Sequence, residues 1–130
     1  MSVLFPMPAT TERLRALLQA AEGDVLFLAD PRVAVTPGPR MFERMAQALR
    51  DTGAGWVYSD SAGHPRIDYR PGSLRDTFDF GPVVAVSVPL ARAAGFAPDL
   101  LFSALYDLRL RLSEVAPVVR VPEPLYAAGP

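Results

Sequence analysis

The chain has 130 residues, of which half are apolar and 21% are charged, and its formal net charge is −1 at pH 7. This near-neutral charge gives no global field that would attract nucleic acid or an anionic membrane, so we expect neither as a partner. Cysteine is absent, which excludes disulfides, thiolate zinc sites and cysteine nucleophiles, and the single His64 excludes a histidine metal cluster.

Size and hydropathy predict one compact domain over residues 1–130. The longest apolar run, around VVAVSV, is far shorter than a membrane span. The start MSVLFPMPATTERLR lacks the basic flank and the long apolar core of a signal peptide. We therefore expect a cytoplasmic protein without a membrane span.

The first half of the chain contains two predicted strand–helix units. Residues 2–5 form a short apolar run that is ended by prolines, and Thr10 or Thr11 can cap the helix that follows. Residues 24–29, DVLFLA, form a continuous apolar run, as expected for a strand covered on both faces. A second helix follows the sequence TPGP, in which a proline suits the first helical position.

The second half continues this alternation. Residues 55–59, GWVYS, and 83–88, VVAVSV, are predicted strands, and a turn-rich polar connection joins them. A short helix LARAAG, a leucine-striped helix through residues 100–114, and a strand PVVRV with an extended tail complete the chain. Strands that alternate with helices predict an α/β layered domain whose sheet is parallel at its centre.

The connection between those strands carries the polar segment DYRPGSLRDTFDFG, residues 68–81. Polar loops held between buried strands often carry binding and catalytic residues. In a functional interpretation, Arg75 and Asp76 face a sugar or phosphate and Asp79 positions an acceptor hydroxyl. In a structural interpretation, Arg75 pairs with Asp76 or Asp79, and the phenylalanines on either side of Asp79 pack under the sheet. Both interpretations stay open.

Asp30 and Asp60 present a similar pair of alternatives. Each follows a predicted strand, at the edge where α/β sheets bind ligands, and each can equally cap a turn. Asp107 of the last helix, with Arg109 and Arg111 nearby on other faces, fits an ordinary solvated face. His64, between a glycine and a proline, fits a turn.

Three pieces of the sequence, in this order, resemble family 2 glycosyltransferases, which are nucleotide-sugar-dependent enzymes with the GT-A fold. The pieces are AAEGDVLFLADPRVAVTPGPRMFERMAQALRDTGAGWVYSD, then IDYRPGSLRDTFDFGPVVAVSVPLARAAGF, then FAPDLLFSALYDLRLRLSE with VVRVPEPLY. The resemblance implies a reduced GT-A-like fold, in which a layered, mainly parallel sheet is flanked by helices.

In that family, two acids one residue apart hold a divalent cation against the diphosphate, and the corresponding motif here is Asp30-Pro31-Arg32. Mg²⁺ or Mn²⁺ is therefore expected only if other ligands complete Asp30, and we assign no metal ligand. Arg32 could instead offset phosphate charge without a metal. The acidic pair that supplies the family's base corresponds to Ala104-Leu105, neither of which can remove a proton.

By this resemblance the chain would transfer a sugar from a nucleoside-diphosphate sugar to a hydroxyl acceptor by direct displacement. The candidate catalytic residues are then Asp76 and Asp79, and the candidate substrate-binding residues are Asp30, Arg32, Asp60 and Arg75. The alternative is a non-catalytic interaction module on the same fold, which the incomplete acidic motifs favour. Uncovered strand edges in a small apolar chain also predict a homo-oligomer.

Overall fold

The computed structural model of the chain describes residues 3–66, 80–95 and 104–129. These residues form six strands and four helices, which confirms the predicted α/β class. The strands are β1 (Leu4–Pro6), β2 (Val25–Ala29), β3 (Ala34–Pro37), β4 (Trp56–Ser61), β5 (Val83–Ser87) and β6 (Val118–Gly129). The helices are α1 (Thr11–Ala20), α2 (Met41–Thr52), α3 (Val88–Ala94) and α4 (Ala104–Val115).

Two of the helices end on recognisable local signals. The side chain of Thr10 accepts a hydrogen bond from the backbone nitrogen of Arg13 at 3.1 Å and so caps α1. After α2, Gly53 adopts a left-handed conformation with φ of 70°, which favours glycine. None of the helices in the described ranges is long and apolar enough to cross a membrane.

The sheet is mixed and curled, so the prediction of a mainly parallel, GT-A-like layered sheet is wrong. In the order β1-β2-β5-β4-β6-β3, only β1 with β2 and β4 with β6 pair in parallel. Strand β5 runs against both of its neighbours, with Val84 opposite Leu28 on one side and Tyr58 on the other. The physical reason is that β4 ends and β5 begins at the same edge of the sheet, which forces the two strands to be antiparallel.

Strand β3 is an element that the sequence analysis missed. It pairs antiparallel with the end of β6, from Ala34 opposite Gly129 to Pro37 opposite Tyr126. The extended tail predicted after PVVRV is thus the second half of one long strand. The short run of β3 escaped prediction because it ends in proline, a residue that is depleted in strands.

Apolar side chains cover the sheet on both faces. On one face, Leu26 and Leu28 of β2 pack with buried residues of α1, α3 and α4. On the other face, Phe27 packs with buried residues of α2, among them Met45 and Leu49. Because successive side chains of a strand point to opposite faces, this two-sided core explains why Val25–Ala29 is apolar throughout, as predicted for a strand covered on both faces.

Both edge strands of the described sheet carry a proline where a backbone N–H would point away from the sheet. The backbone nitrogen of Met7 donates to β2 at 2.8 Å, so the backbone of Pro6 in β1 faces outward. Gly38 donates to the carbonyl of Leu125 at 2.9 Å, which by the antiparallel alternation turns Pro37 of β3 outward. Short strands with such prolines resist edge pairing, so the predicted homo-oligomer needs another surface.

Candidate functional site

Strands β1, β2, β4 and β6 run in one direction and end at one edge of the sheet, here called the carboxyl edge. Ligands of open α/β sheets bind outside such an edge. Asp30 directly follows β2, and its backbone nitrogen donates to the carbonyl of Pro82 at 2.7 Å. By the register of β4 with β5, Asp60 comes opposite Pro82. The two predicted aspartates therefore flank β5, and two strand spacings place their backbones about 10 Å apart.

Asp30 closes the turn that follows β2. Its Oδ1 accepts hydrogen bonds from the backbone nitrogen and Nε of Arg32, at 2.9 and 3.0 Å, and its Oδ2 accepts one from Nη2 at 2.9 Å. The hydrogen bond from the Arg32 guanidinium lowers the pKa of Asp30, against the effect of burial. This geometry is the turn-capping one. It also holds the Arg32 side chain, which is 87% exposed, at the carboxyl edge, where it can meet an anion.

Asp60 is only 7% exposed and is held by an arginine from a strand far away in sequence. Arg120 of β6 donates from Nε to Oδ1 at 3.0 Å and from Nη2 to Oδ2 at 3.2 Å. The backbone nitrogen of Arg66 donates to Oδ1 at 2.8 Å. The Arg120 hydrogen bond lowers the pKa of Asp60, with burial opposing the shift and Arg66 adding to it. Asp60 is therefore a fixed acceptor and a poor base near neutral pH.

An irregularity in the β4–β6 ladder adjoins Asp60. Val121 lies opposite Ser59, but Asp60, the next residue of β4, lies opposite Pro124. Extra residues on one strand bend that strand and re-aim its side chains, often beside functional sites. The first half of β6 thus delivers Arg120 to Asp60, while its second half pairs with β3 as well as with the end of β4.

Arg66 ties the turn after β4 to the sheet. Its Nη1 donates to the carbonyl of Ser59 at 3.3 Å, to Oγ of Ser61 at 3.1 Å and to the carbonyl of His64 at 3.2 Å. Ser61 and His64 also exchange backbone hydrogen bonds of 2.9 and 3.3 Å, which confirms His64 as a turn residue. Arg66 thereby holds the turn that precedes the polar segment against β4.

Sequence analysis missed Arg66 and Arg120 as parts of this site. Both residues act on Asp60, yet Arg120 lies 60 positions away from it in the chain. A signal existed only for Arg120, which is a charged residue inside an apolar strand and so requires a partner when it is largely buried. Nothing in the sequence identified that partner.

Helix α4 brings a buried cation to the described end of the polar segment. Arg109 is 3% exposed, and its guanidinium carbon lies 5.1 Å from the ring centre of Phe80 and 4.9 Å from that of Tyr106. Arg109 is therefore a buried residue on a different face from Asp107, which forms an ordinary i,i+4 pair with Arg111 at 2.9 Å. A signal was available, because Arg109 lies four residues after one leucine of the stripe and three before another.

The predicted site residues of the polar segment lie outside the described residues: Arg75, Asp76 and Asp79. The end of the segment that the structure describes is Phe80. Its ring packs edge-on against Trp56 and Tyr58, with 5.7 and 5.0 Å between ring centres. The structural interpretation gave Phe80 this position under the sheet, and the other phenylalanine of that interpretation lies outside the described residues.

The described carboxylates do not fit a divalent cation. Within residues 3–66, 80–95 and 104–129, no three histidine, aspartate or glutamate side chains lie close enough together to hold a metal ion. Both oxygens of Asp30 accept hydrogen bonds from Arg32, and the positive charge of that guanidinium opposes a second cation. An anion is the ligand that suits this arrangement.

Comparison with known proteins assigns no family to the chain. No protein-family model matches it, and no curated protein matches it significantly. The resemblance to family 2 glycosyltransferases is therefore carried by the quoted motifs, and the geometry of the carboxyl edge is the physical observation that bears on function.

Proposed function

We propose that the chain is a glycosyltransferase-like domain that binds a nucleoside-diphosphate sugar at the carboxyl edge. One observation carries the proposal. Asp30 and Asp60, each held by an arginine, flank β5 at this edge, and the exposed guanidinium of Arg32 stands with them. A diphosphate is the kind of anion that a guanidinium recognises, and a sugar or ribose supplies hydroxyl groups that a fixed carboxylate accepts.

The two arginine–aspartate pairs keep hydrogen-bonding capacity for these ligand groups. The pair with Asp30 uses Nε and Nη2 of Arg32, so in the described contacts Nη1 is available to a phosphate oxygen. Oδ2 of Asp60 accepts one hydrogen bond, from Arg120, and a carboxylate oxygen can accept a second from a hydroxyl. Arg32 is therefore the proposed contact for the diphosphate, and Asp60 the proposed contact for a hydroxyl group.

Transfer requires a base that takes the proton of the acceptor hydroxyl while its oxygen attacks the anomeric carbon and the nucleoside diphosphate leaves. Asp30 and Asp60 are unsuited to this role, because arginines lower the pKa of each. We assign the role to Asp76 or Asp79 of the polar segment. Arg32 would stabilise the charge that develops on the leaving diphosphate.

Calorimetric titration with UDP, GDP, ADP and CDP, and with their common sugars, tests the proposal. We expect at least one of these nucleotides to bind, with the same affinity in EDTA and in Mn²⁺, since no metal takes part. Absence of binding by all of them would contradict the proposed ligand class. Tight stoichiometric binding of Mn²⁺ to the protein alone would contradict the metal-free assignment.

A second function, a non-catalytic interaction module, is favoured by an apolar surface around β1. Val3 and Phe5 are 52% and 40% exposed, and they border a groove of about 460 Å³ that α1 and α2 also line. Because prolines blunt the strand edges, the predicted homo-oligomer would form by packing these side chains against the same surface of a second copy.

Light scattering over a wide concentration range tests this second function. We expect a dimer or a larger oligomer, and we expect Phe5→Ser to shift it towards the monomer. Val115→Ser is the matched control, because Val115 is 66% exposed on α4 and does not line the groove. A monomeric parent protein at every concentration would rule out the module as a self-association domain.

A further inference from the structure

A second cavity begins at the carboxyl edge and runs along α1. Its volume is about 590 Å³, which is within the range of small-molecule sites. One wall includes Pro6 at the end of β1 and Pro31 after β2. The other wall is the face of α1 from Arg13 to Ala20, which spans about 10 Å. The cavity is therefore an elongated trough, with one end beside the turn that carries Arg32.

The backbone of the strand-side wall offers few hydrogen-bond donors. Pro6, Pro8 and Pro31 have no N–H group. The N–H of Met7 is already used, because it donates to the carbonyl of Ala29 at 2.8 Å. A polar ligand group that entered this wall would lose its hydrogen bonds to water without replacing them. The part of a ligand that fits here is therefore apolar.

Two polar side chains line the trough in the described part of the chain, and one of them is available to a ligand. The hydroxyl of Thr10 caps α1 by accepting from the backbone nitrogen of Arg13 at 3.1 Å. Arg13 is exposed, and within the described contacts its guanidinium forms neither an ion pair nor a hydrogen bond. None of the described lining residues is acidic, and the neighbouring Glu12 does not line the trough. Arg13 therefore offers its charge to an anion.

This combination suits an aliphatic chain rather than the base of a nucleotide. Proteins recognise bases by stacking on aromatic rings and by hydrogen bonds to the base edges. The described lining residues include no aromatic ring, carboxylate or amide side chain. An aliphatic chain requires only apolar contact, which Met7, Leu17 and the alanines of α1 supply.

We propose that the trough binds an anionic amphiphile, whose single aliphatic chain lies along α1 and whose phosphate or carboxylate head contacts Arg13. A guanidinium recognises either head group through charge-assisted hydrogen bonds. The site does not depend on the proposed function, because Arg13 and the trough take no part in the diphosphate contact at Arg32. It also differs from the groove beside Val3 and Phe5, with which it shares Leu17 and Ala20.

Calorimetric titration with decyl phosphate, octyl phosphate and inorganic phosphate, below the concentrations at which the alkyl phosphates form micelles, tests the ligand class. We expect one decyl phosphate per chain and roughly 10-fold weaker binding of octyl phosphate, because each buried CH₂ group changes affinity about fourfold. Inorganic phosphate should bind much more weakly than either. Equal affinity for all three, no binding of decyl phosphate, or binding without a defined stoichiometry would overturn the proposal.

Ala16→Glu tests whether the chain lies along α1. Ala16 lines the trough one turn after Arg13, so a carboxylate there pairs with Arg13 and places a charge in the path of the chain. We expect decyl phosphate to bind at least 10-fold more weakly. Gln19→Glu is the matched control, because it adds the same charge to an exposed position of α1 outside the described lining. Equal affinity in the parent and both variants would contradict the trough as the site.

Arg13→Gln tests the head-group contact and decides the case if Ala16→Glu does not fold. Decyl phosphate and decanoate should each bind this variant about 10- to 100-fold more weakly, whereas the neutral chain of 1-octanol should bind as it does to the parent. Arg40→Gln is the control, since Arg40 is an exposed arginine outside the described lining. Unchanged binding of both anions by Arg13→Gln would overturn the assignment of Arg13.

Discussion

Asp30 and Asp60 occupy equivalent places in the sequence, each after an apolar strand, but different places in the structure. Asp30 takes its partner, Arg32, from the same turn, and the arginine side chain is 87% exposed. Asp60 takes Arg120 from a strand 60 residues away, and the two side chains are 10% and 19% exposed. Similar sequence contexts have thus produced a local contact and a tertiary one.

The contrast assigns different tasks to the two pairs. An exposed ion pair contributes only about 0–1 kcal/mol to stability, so Arg32 can serve a ligand through Nη1 without a task in holding the fold. The Asp60 pair forms only when β4 and β6 lie side by side, and losing one partner leaves a charge in the interior. We therefore expect ligand binding to depend on Arg32 and folding to depend on Arg120.

Arg120→Ala should have the largest effect on stability. The substitution leaves Asp60 buried without its main partner, and breaking a buried pair in this way costs about 3–5 kcal/mol. Urea unfolding measures the change. Arg111→Ala, which removes the half-exposed partner of Asp107, is the control and should cost about 0.5 kcal/mol or less. Equal losses in the two variants would mean that the Asp60 pair is no more important than a surface pair.

Gly81→Ala should be the next most destabilising change, and Gly63→Ala isolates its cause. Both glycines have a φ of 77°, but a Cβ on Gly63 meets nothing within 4 Å. Gly63→Ala should cost about 1 kcal/mol from backbone strain, whereas overlap with Arg66 and Tyr126 should bring Gly81→Ala to roughly 2–4 kcal/mol. Matching losses in urea unfolding would show that the contact at Gly81 is unimportant.

A smaller effect on the unfolding free energy is expected when the pH is lowered. Arg120 lowers the pKa of Asp60 in the folded chain below the ordinary 3.8, so this carboxylate stabilises the fold above that pH, and the contribution is lost as pH falls through the lowered value. The unfolding free energy of the parent should therefore fall more steeply below pH 3.8 than that of Asp60→Asn. Parallel pH profiles for the two proteins would argue against this linkage.

The smallest effect on stability is expected at the ends of β2. Arg32→Gln removes the pair with Asp30, and Arg50→Gln removes a similar exposed pair with Asp24, at 2.9 Å, before the strand begins. Both variants should unfold within about 0.5 kcal/mol of the parent. A clear loss for Arg32→Gln in the same urea experiment would place Arg32 in the folding scaffold and remove the distinction from Arg120.

The predictions from sequence succeeded where neighbours along the chain decide the outcome. The cap at Thr10 and the two-sided burial of DVLFLA follow from local residue types. The direction of a strand does not follow from local residue types. Strand β5 is antiparallel to its neighbours because the chain re-enters the sheet at the edge where β4 ends. The turn at Asp30 was among the predicted alternatives because its partner is a neighbour along the chain. The partner of Asp60 could not be predicted, because it comes close only when β4 and β6 pair side by side.

Nucleotide titration of three proteins tests the central claim most directly. The parent, Arg32→Gln and Arg50→Gln are compared by calorimetry with the nucleoside diphosphate that binds the parent best. Arg32→Gln should weaken binding by about 10- to 100-fold, since a hydrogen bond to a charged group contributes about 1.5–3 kcal/mol, and Arg50→Gln should bind as the parent does. Equal affinity in all three proteins, or no binding by the parent, would contradict a ligand site at the carboxyl edge.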